Sequence, residues 1–217
     1  MMKSLGFLAV LSALAATGYS ITCKSCWQFA TACTSPTVSC PAGNVCVSSY
    51  SVVQTVTSST PQIQYSISCG LRDHCNITGS MTFIYGTVRT GTSCCDTDDC
   101  TPPTPILPAL SSQKNGLTCR TCYSDKSDYC YNGDTLQCNG EETKCGLMSR
   151  KLTGTINLNE AIRGCSTKSF CDVLGPQSAS ISGLNVDAKM YCSDGAVGLN
   201  SGILYSIFAT LLAKLLL

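Results

Sequence analysis

The chain has 217 residues and a formal net charge of +1, with 12% charged residues, one histidine and one tryptophan, yet it carries 18 cysteines. So few titratable side chains argue against hydrolytic chemistry, and a near-neutral chain with no long basic run argues against a nucleic-acid partner. No catalytic residue, cofactor or metal is expected; the cysteines point to a disulfide framework.

The chain begins with Lys3, an apolar run from Leu5 to Ala16 and the small residues around Gly18 to Ser20. These are the parts of a secretory signal, and the run is too short to span a bilayer. Cleavage after Ser20 makes residues 1–20 the signal peptide and Ile21 the mature start; cleavage after Gly18 is the competing site. In that export route thiols are oxidised, and an even cysteine count leaves none over.

Residues 21–101 form a first module with cysteines at 23, 26, 33, 40, 46, 69, 75, 94, 95 and 100. Val45 to Val56 is rich in β-branched residues, Ser58 to Pro61 reads as a turn and Ile63 to Ile67 alternates on the way back, which predicts a hairpin. Met81 to Arg89 predicts one further strand. Residues 102–116 hold four prolines and then polar residues, an extended spacer and the domain boundary. Residues 117–193 form a second module with cysteines at 119, 122, 130, 138, 145, 165, 171 and 192. Its long hairpin lies between Cys145 and Cys165, with Thr153 to Thr155 near the tip. No segment of either module shows a helical stripe with caps.

The two cysteine series share one rhythm, so each module reads as one folding unit used twice. A unit of roughly 80 residues buries too little apolar surface to be secure by its core alone. Cross-links supply the difference: losing one native disulfide from a small secreted domain costs about 2 to 5 kcal/mol.

At the C-terminal end, Ser193 to Gly202 is small and polar and Ile203 to Leu217 is apolar. Small residues, a polar spacer and a removable apolar tail make up the signal for a glycosylphosphatidylinositol (GPI) anchor. A transmembrane helix fits less well, because this run is shorter than the roughly 20 residues a span needs and Lys214 interrupts it. The signal is placed in residues 194–217, with Ser193, Asp194 and Gly195 as candidate attachment residues. Localisation at the cell surface, on the outer leaflet of the plasma membrane, follows; secretion without lipid is the alternative.

Several motifs admit a sharper and a plainer reading. Cys23 with Cys26, and Cys119 with Cys122, have zinc-ligand or redox spacing, but a secreted protein with no βαβ context favours disulfides. His74 beside Asp73 invites thoughts of a general base, yet no serine has a nucleophile context. Asp96 to Asp99 lacks the ordered oxygen ligands of a calcium loop. Asn76 to Thr78 is an N-glycosylation sequon, expected on the surface. Arg150 and Lys151, with Arg163 and Lys168 nearer the base, form the one loose basic cluster; it either meets an acidic partner or simply solvates a face.

Ile21 to Trp27 (ITCKSCW) and Leu117 to Tyr123 (LTCRTCY) resemble the opening of the three-finger modules of the Ly-6/urokinase-receptor family, and Cys94 to Cys100 (CCDTDDC) resembles their close. The resemblance covers essentially the whole mature chain. It implies an all-β, disulfide-rich fold of two tandem three-finger, snake-toxin-like domains. The pairing it implies is Cys23 with Cys46, Cys26 with Cys33, Cys40 with Cys69, Cys75 with Cys94 and Cys95 with Cys100. In the second module it implies Cys119 with Cys145, Cys122 with Cys130, Cys138 with Cys165 and Cys171 with Cys192. Two departures stand out: Thr101 occupies the usual asparagine position, and the second module has no closing pair, so a looser C-terminal edge is expected there. Asn115 to Cys122 and Ala161 to Cys171 are similar to the gamma-type phospholipase A2 inhibitors, whose second module also lacks that pair. The resemblance implies a non-enzymatic protein that binds an extracellular or cell-surface protein through its fingers, with the GPI lipid as its membrane contact. Inhibition of a secreted phospholipase A2 and a soluble, pheromone-like signalling role are the alternatives.

Overall fold

The computed structural model describes residues 19–173, 177–181 and 183–195; the expected signal segment before Tyr19 and the apolar tail after Gly195 lie outside the described residues. The first module contains β1 (Thr22–Lys24), β2 (Cys26–Gln28), β3 (Thr37–Ser39), β4 (Val45–Thr55), β5 (Gln62–Gly70), β6 (Thr78–Phe83) and β7 (Gly86–Cys95). The second contains β8 (Lys114–Arg120), β9 (Cys122–Ser124), β10 (Thr135–Asn139), β11 (Lys144–Gly154), β12 (Leu158–Ser166), the helix α1 (Lys168–Val173), β13 (Gln177–Ile181) and β14 (Leu184–Ser193).

The modules repeat one topology. β1 pairs with β3 as β8 pairs with β10, and the order β2-β5-β4-β7-β6 is repeated as β9-β12-β11-β14-β13. All ladders are antiparallel, and β-branched and hydroxyl residues fill them, as a half-buried pleated surface favours. At each base the strands converge on stacked cystines. Ile21 packs there with Cys23, Cys40 and Cys46 in the first module; Cys119, Cys138 and Cys165 are buried together in the second.

The nine disulfides join Cys23–Cys46, Cys26–Cys33, Cys40–Cys69, Cys75–Cys94, Cys95–Cys100, Cys119–Cys145, Cys122–Cys130, Cys138–Cys165 and Cys171–Cys192. Their Cα separations run from 5.3 to 6.2 Å, within the range a disulfide bridges without moving the backbone, and no cysteine is left free.

Three expectations need correction. Met81 to Arg89 is not one strand: the chain reverses at Ile84 and Tyr85 between β6 and β7. A six-residue helix, α1, sits where no helix was expected. The proline-rich segment, expected as an extended spacer between modules, is a strap laid against the first. Pro102 and Pro105 are buried, the Ser48 and Ser93 hydroxyls both donate to the Pro103 carbonyl, and the Ile106 carbonyl lies where a side chain at Gly91 would stand. At the C-terminal edge of the second module the β11 to β14 ladder runs through Cys145 and Ser193, and Lys144 forms an ion pair with Asp194.

The modules are not independent units. β6 of the first pairs with β12 of the second through Phe83–Gly164, Thr82–Cys165 and Met81–Ser166, just beyond the stretch of β12 that β9 covers. One ten-stranded sheet therefore runs through the chain. Its centre is a shared core of Met81, Phe83 and Val88 from one module and Met148, Ile162, Phe170 and Met190 from the other.

Candidate interaction site

Residues opposite one another in an antiparallel ladder share a face. One face carries Ser49, Ser51 and Val53 on β4, Gln62, Gln64 and Ser66 on β5, and Val88, Thr90 and Thr92 on β7. It continues onto the second module through Met81 and Phe83 to Ile162 and Met148, then to Glu160 and Arg150. The opposite face of the first module is closed, because Tyr65 and Ile67 pack under the Cys26–Cys33 loop and the strap crosses Ser48 and Ser93.

The first face lines a cavity of about 920 Å³ shared by both modules. Its floor at the junction is apolar. Its wall in the first module is made of serine, threonine and glutamine, and Trp27, Tyr85 and Tyr123 also line it. Tyr85 and Tyr123, 48% and 41% exposed, meet edge to face with centroids 6.2 Å apart. Rigid aromatic bodies with polar tips beside a partly apolar floor are a composition suited to protein contacts.

Arg150 and Lys151, read from the sequence as part of one loose cluster that either meets an acidic partner or solvates a face, are separated. Arg150 lies on the concave face, where Nη2 donates to Glu160 Oε2 at 2.7 Å and Nη1 donates to Gln64 Oε1 at 3.1 Å, bridging the two modules. Lys151 points to the other face and is exposed. Lys168 pairs with Asp172 at 2.6 Å, so the four basic residues do not form one cluster. His74 closes a 3-10 turn, Arg72–His74, at the rim of the cavity, and its backbone carbonyl accepts from Thr92 Oγ1 at 2.6 Å. Asn76 is exposed with φ of 56°, next to the Cys75–Cys94 cross-link. Thr101 accepts from Lys24 Nζ at 2.9 Å. Of the candidate attachment residues, Ser193 and Asp194 are exposed and Gly195 lies against Leu117 and Cys145 at the base.

Trios of cysteine sulfurs, such as those of Cys119, Cys138 and Cys165, crowd within 4.8 Å of one another. Every one of these sulfurs is in a disulfide, so the trios offer no thiolate, the form that binds metal.

Glu142 has no counterpart among the residues singled out from the sequence. It is 4% exposed, and Oε1 accepts from Ser80 Oγ at 3.2 Å and Thr82 Oγ1 at 2.7 Å, both on β6 of the other module, while Oε2 has no partner. Burial pushes its carboxyl above the usual range, opposed by those hydroxyls and the Asn139 backbone contact. A carboxyl raised on folding binds its proton more readily in the folded state, so its contribution is largest below the ordinary glutamate value. That contribution is lost as pH rises through the raised one. Glu142→Gln is expected to stabilise the protein at pH 7, where burial disfavours the carboxylate charge that the neutral amide does not carry, and to have little effect at pH 4. Comparing urea midpoints of the two proteins at each pH cancels the opposite acid-side loss from Asp98 and Asp194, whose carboxyls are lowered by their hydrogen bonds to Thr22 and Lys144. A constant difference from pH 4 to pH 7 would refute the assignment.

The u-PAR/Ly-6 domain matches twice, over residues 19–103 and 115–198. The chain belongs to the u-PAR/Ly-6 family. This u-PAR/Ly-6 chain is 31% identical over 174 residues to phospholipase A2 inhibitor NAI of Notechis ater, an alignment covering 78% of this chain and 86% of that protein. It is 28% identical over 196 residues to a gamma-type phospholipase A2 inhibitor polypeptide of Gloydius brevicaudus siniticus, covering 87% of this chain and 95% of that one. The crystal structure of mouse TEX101 matches 80% of this chain and 99% of its own at 13% identity, with a TM-score of 0.35, a likeness on which nothing further rests. Family membership and the inhibitor relatives support a protein-binding role.

Proposed function

We propose that this u-PAR/Ly-6 chain is a non-enzymatic, GPI-anchored cell-surface protein that binds another protein with its fingers and the concave face between them. The observation carrying this reading is the continuous sheet: two cross-linked modules share a ladder and a core, and so present one fixed surface lined by exposed tyrosines. A surface ordered in advance loses less conformational entropy on docking. In this reading residues 1–20 are removed on export, residues 21–101 and 117–193 are the mature modules, and Asn76 carries a glycan. Lipid attachment at Ser193, Asp194 or Gly195 holds the base of the second module toward the membrane and leaves the fingers outward.

Treating intact cells with a phosphatidylinositol-specific phospholipase C is expected to release the protein, and peptide N-glycosidase is expected to increase the mobility of the released material. Retention on cells from which a known anchored protein is freed would remove the anchor from the proposal. The relatives favour one specific alternative, inhibition of a secreted phospholipase A2. Titrating the released ectodomain against such enzymes distinguishes the readings, and no binding at micromolar concentration would dismiss inhibition.

A further inference from the structure

On the other face of the second module, outside the shared cavity, two guanidinium groups lie over exposed tyrosine rings. Arg120 sits 5.0 Å from the centroid of Tyr131, and Arg163 sits 5.5 Å from Tyr129 and 5.8 Å from Tyr131. Tyr129 and Tyr131 are 54% and 60% exposed. The sheet register extends the patch: Arg163 is opposite Leu147, which is opposite Tyr191, itself 58% exposed. Lys151 is exposed on the same face of β11.

Among the described residues, Arg120 and Arg163 are the cations that lie over aromatic rings. Arg120, Arg163 and Lys151, like Lys24, Arg89, Lys114 and Lys126, belong to none of the ion pairs among the described residues, so neither guanidinium is neutralised by a carboxylate there. Asp125 and Asp128, on the adjoining Cys122–Cys130 loop, form no ion pair with either guanidinium among those residues. Among the described residues, the one hydrogen bond on either fork is Arg120 Nη1 to the Asn132 carbonyl at 3.3 Å. A guanidinium over a ring uses its cationic face there and keeps N–H donors for other partners, and its planar fork can take a carboxylate through two parallel bonds. Tyrosine and arginine are also the residues on which binding energy at protein interfaces concentrates.

We propose that the Arg120, Arg163, Tyr129 and Tyr131 cluster is a docking surface for an acidic polypeptide segment of a partner protein. The inference rests on the protein-binding role above and adds where one contact is made and what chemistry it takes. A segment with carboxylates spaced along it and apolar or aromatic side chains between matches a surface where two guanidinium forks alternate with exposed rings. A sulfated polysaccharide would use the charges alone and leave the rings idle.

The test is fluorescence anisotropy of the full ectodomain with a labelled peptide of alternating glutamate and phenylalanine, at low and at physiological salt, with glutamine replacing glutamate as control. Saturable binding of the acidic peptide alone is expected. Arg120→Gln with Arg163→Gln should weaken it at least about tenfold, and Tyr131→Ala, which leaves net charge unchanged, at least about threefold. Arg163→Lys should also weaken it, since the charge stays but the planar fork is lost. Absence of saturable binding, or undiminished binding by the double arginine variant, overturns the proposal. So does a heparin fragment that binds as tightly as the peptide with Tyr131→Ala making no difference. Unchanged unfolding midpoints confirm that each variant is folded. A phospholipase A2 or other protein that still binds the double variant at full strength would refute this surface while leaving the protein-binding role intact.

Discussion

Gly164→Val is expected to uncouple the two modules and cost at least about 3 kcal/mol. Gly164 lies opposite Phe83 in the ladder that joins β12 to β6. A Cβ there would stand 2.0 Å from the Thr82 carbonyl oxygen, 2.9 Å from its carbon and 3.0 Å from the Phe83 Cα. These are backbone atoms, which cannot swing aside as the end of a side chain can. The strands must part, and parting them exposes the core that Met81 and Phe83 share with Ile162 and Phe170. Hydrogen exchange should show protection lost at the amides of β6 and β12 where they meet, and thermal unfolding should separate into two transitions. Gly133→Ala is the control, because a Cβ at Gly133 meets nothing within 4 Å. Unchanged protection in the valine variant would show that the ladder does not hold the modules together.

Phe170→Ala should destabilise the protein by about 3 to 5 kcal/mol, the cost of deleting a fully buried aromatic ring. Phe170 is 1% exposed and comes from a helix too short to be stable by itself, positioned by the neighbouring Cys171–Cys192 disulfide. The helix can lie close on β6 because Gly79 has no side chain: a Cβ there would be 2.7 Å from the Phe170 Cβ and 2.8 Å from its Cα. Gly79→Ala therefore attacks the same contact from the other module. Because the two positions touch, the double variant should cost less than the sum of the singles. Urea midpoints that fall with an unchanged slope would report this as a loss of stability alone. A loss below about 1 kcal/mol for Phe170→Ala would mean that the surrounding methionines refill the site and that the ring does not hold the junction.

What was legible in the chain was local. The long hairpin read from the β-branched run after Val45 and the return after Ile63 occurs as Val45–Thr55 and Gln62–Gly70, because alternation and turn residues act over short distances. The β6 to β7 reversal escaped because Ile84 and Tyr85 are not turn-forming residues, so the stretch looked like one strand. The strap escaped because its prolines report backbone stiffness and say nothing of what the stiff segment lies against. The junction was the least legible part. Ladder partners some 80 residues apart leave no periodicity, and its clues were single residues: glycines at 79 and 164 and a glutamate at 142. For the site, the sequence brought Arg150, Lys151, Arg163 and Lys168 to notice as a loose basic cluster, but only the fold shows that Arg150 is held by Glu160 and that Arg120 and Arg163 are left with aromatic neighbours.

The missing side chain at Gly164 also sets the two repeats apart. Because the topology repeats, Cys69 occupies in β5 the place of Cys165 in β12, and Ser68 that of Gly164. β2 covers β5 only through Cys26–Ile67, Trp27–Ser66 and Gln28–Tyr65, so the next stretch is the counterpart of the edge that receives β6. A second molecule offering β13 to that edge, in the manner of β6, would meet the Cβ of Ser68 where the junction tolerates none. The edge that closes on a glycine in the second module thus carries a side chain in the first, so the two edges are not interchangeable despite the repeated topology.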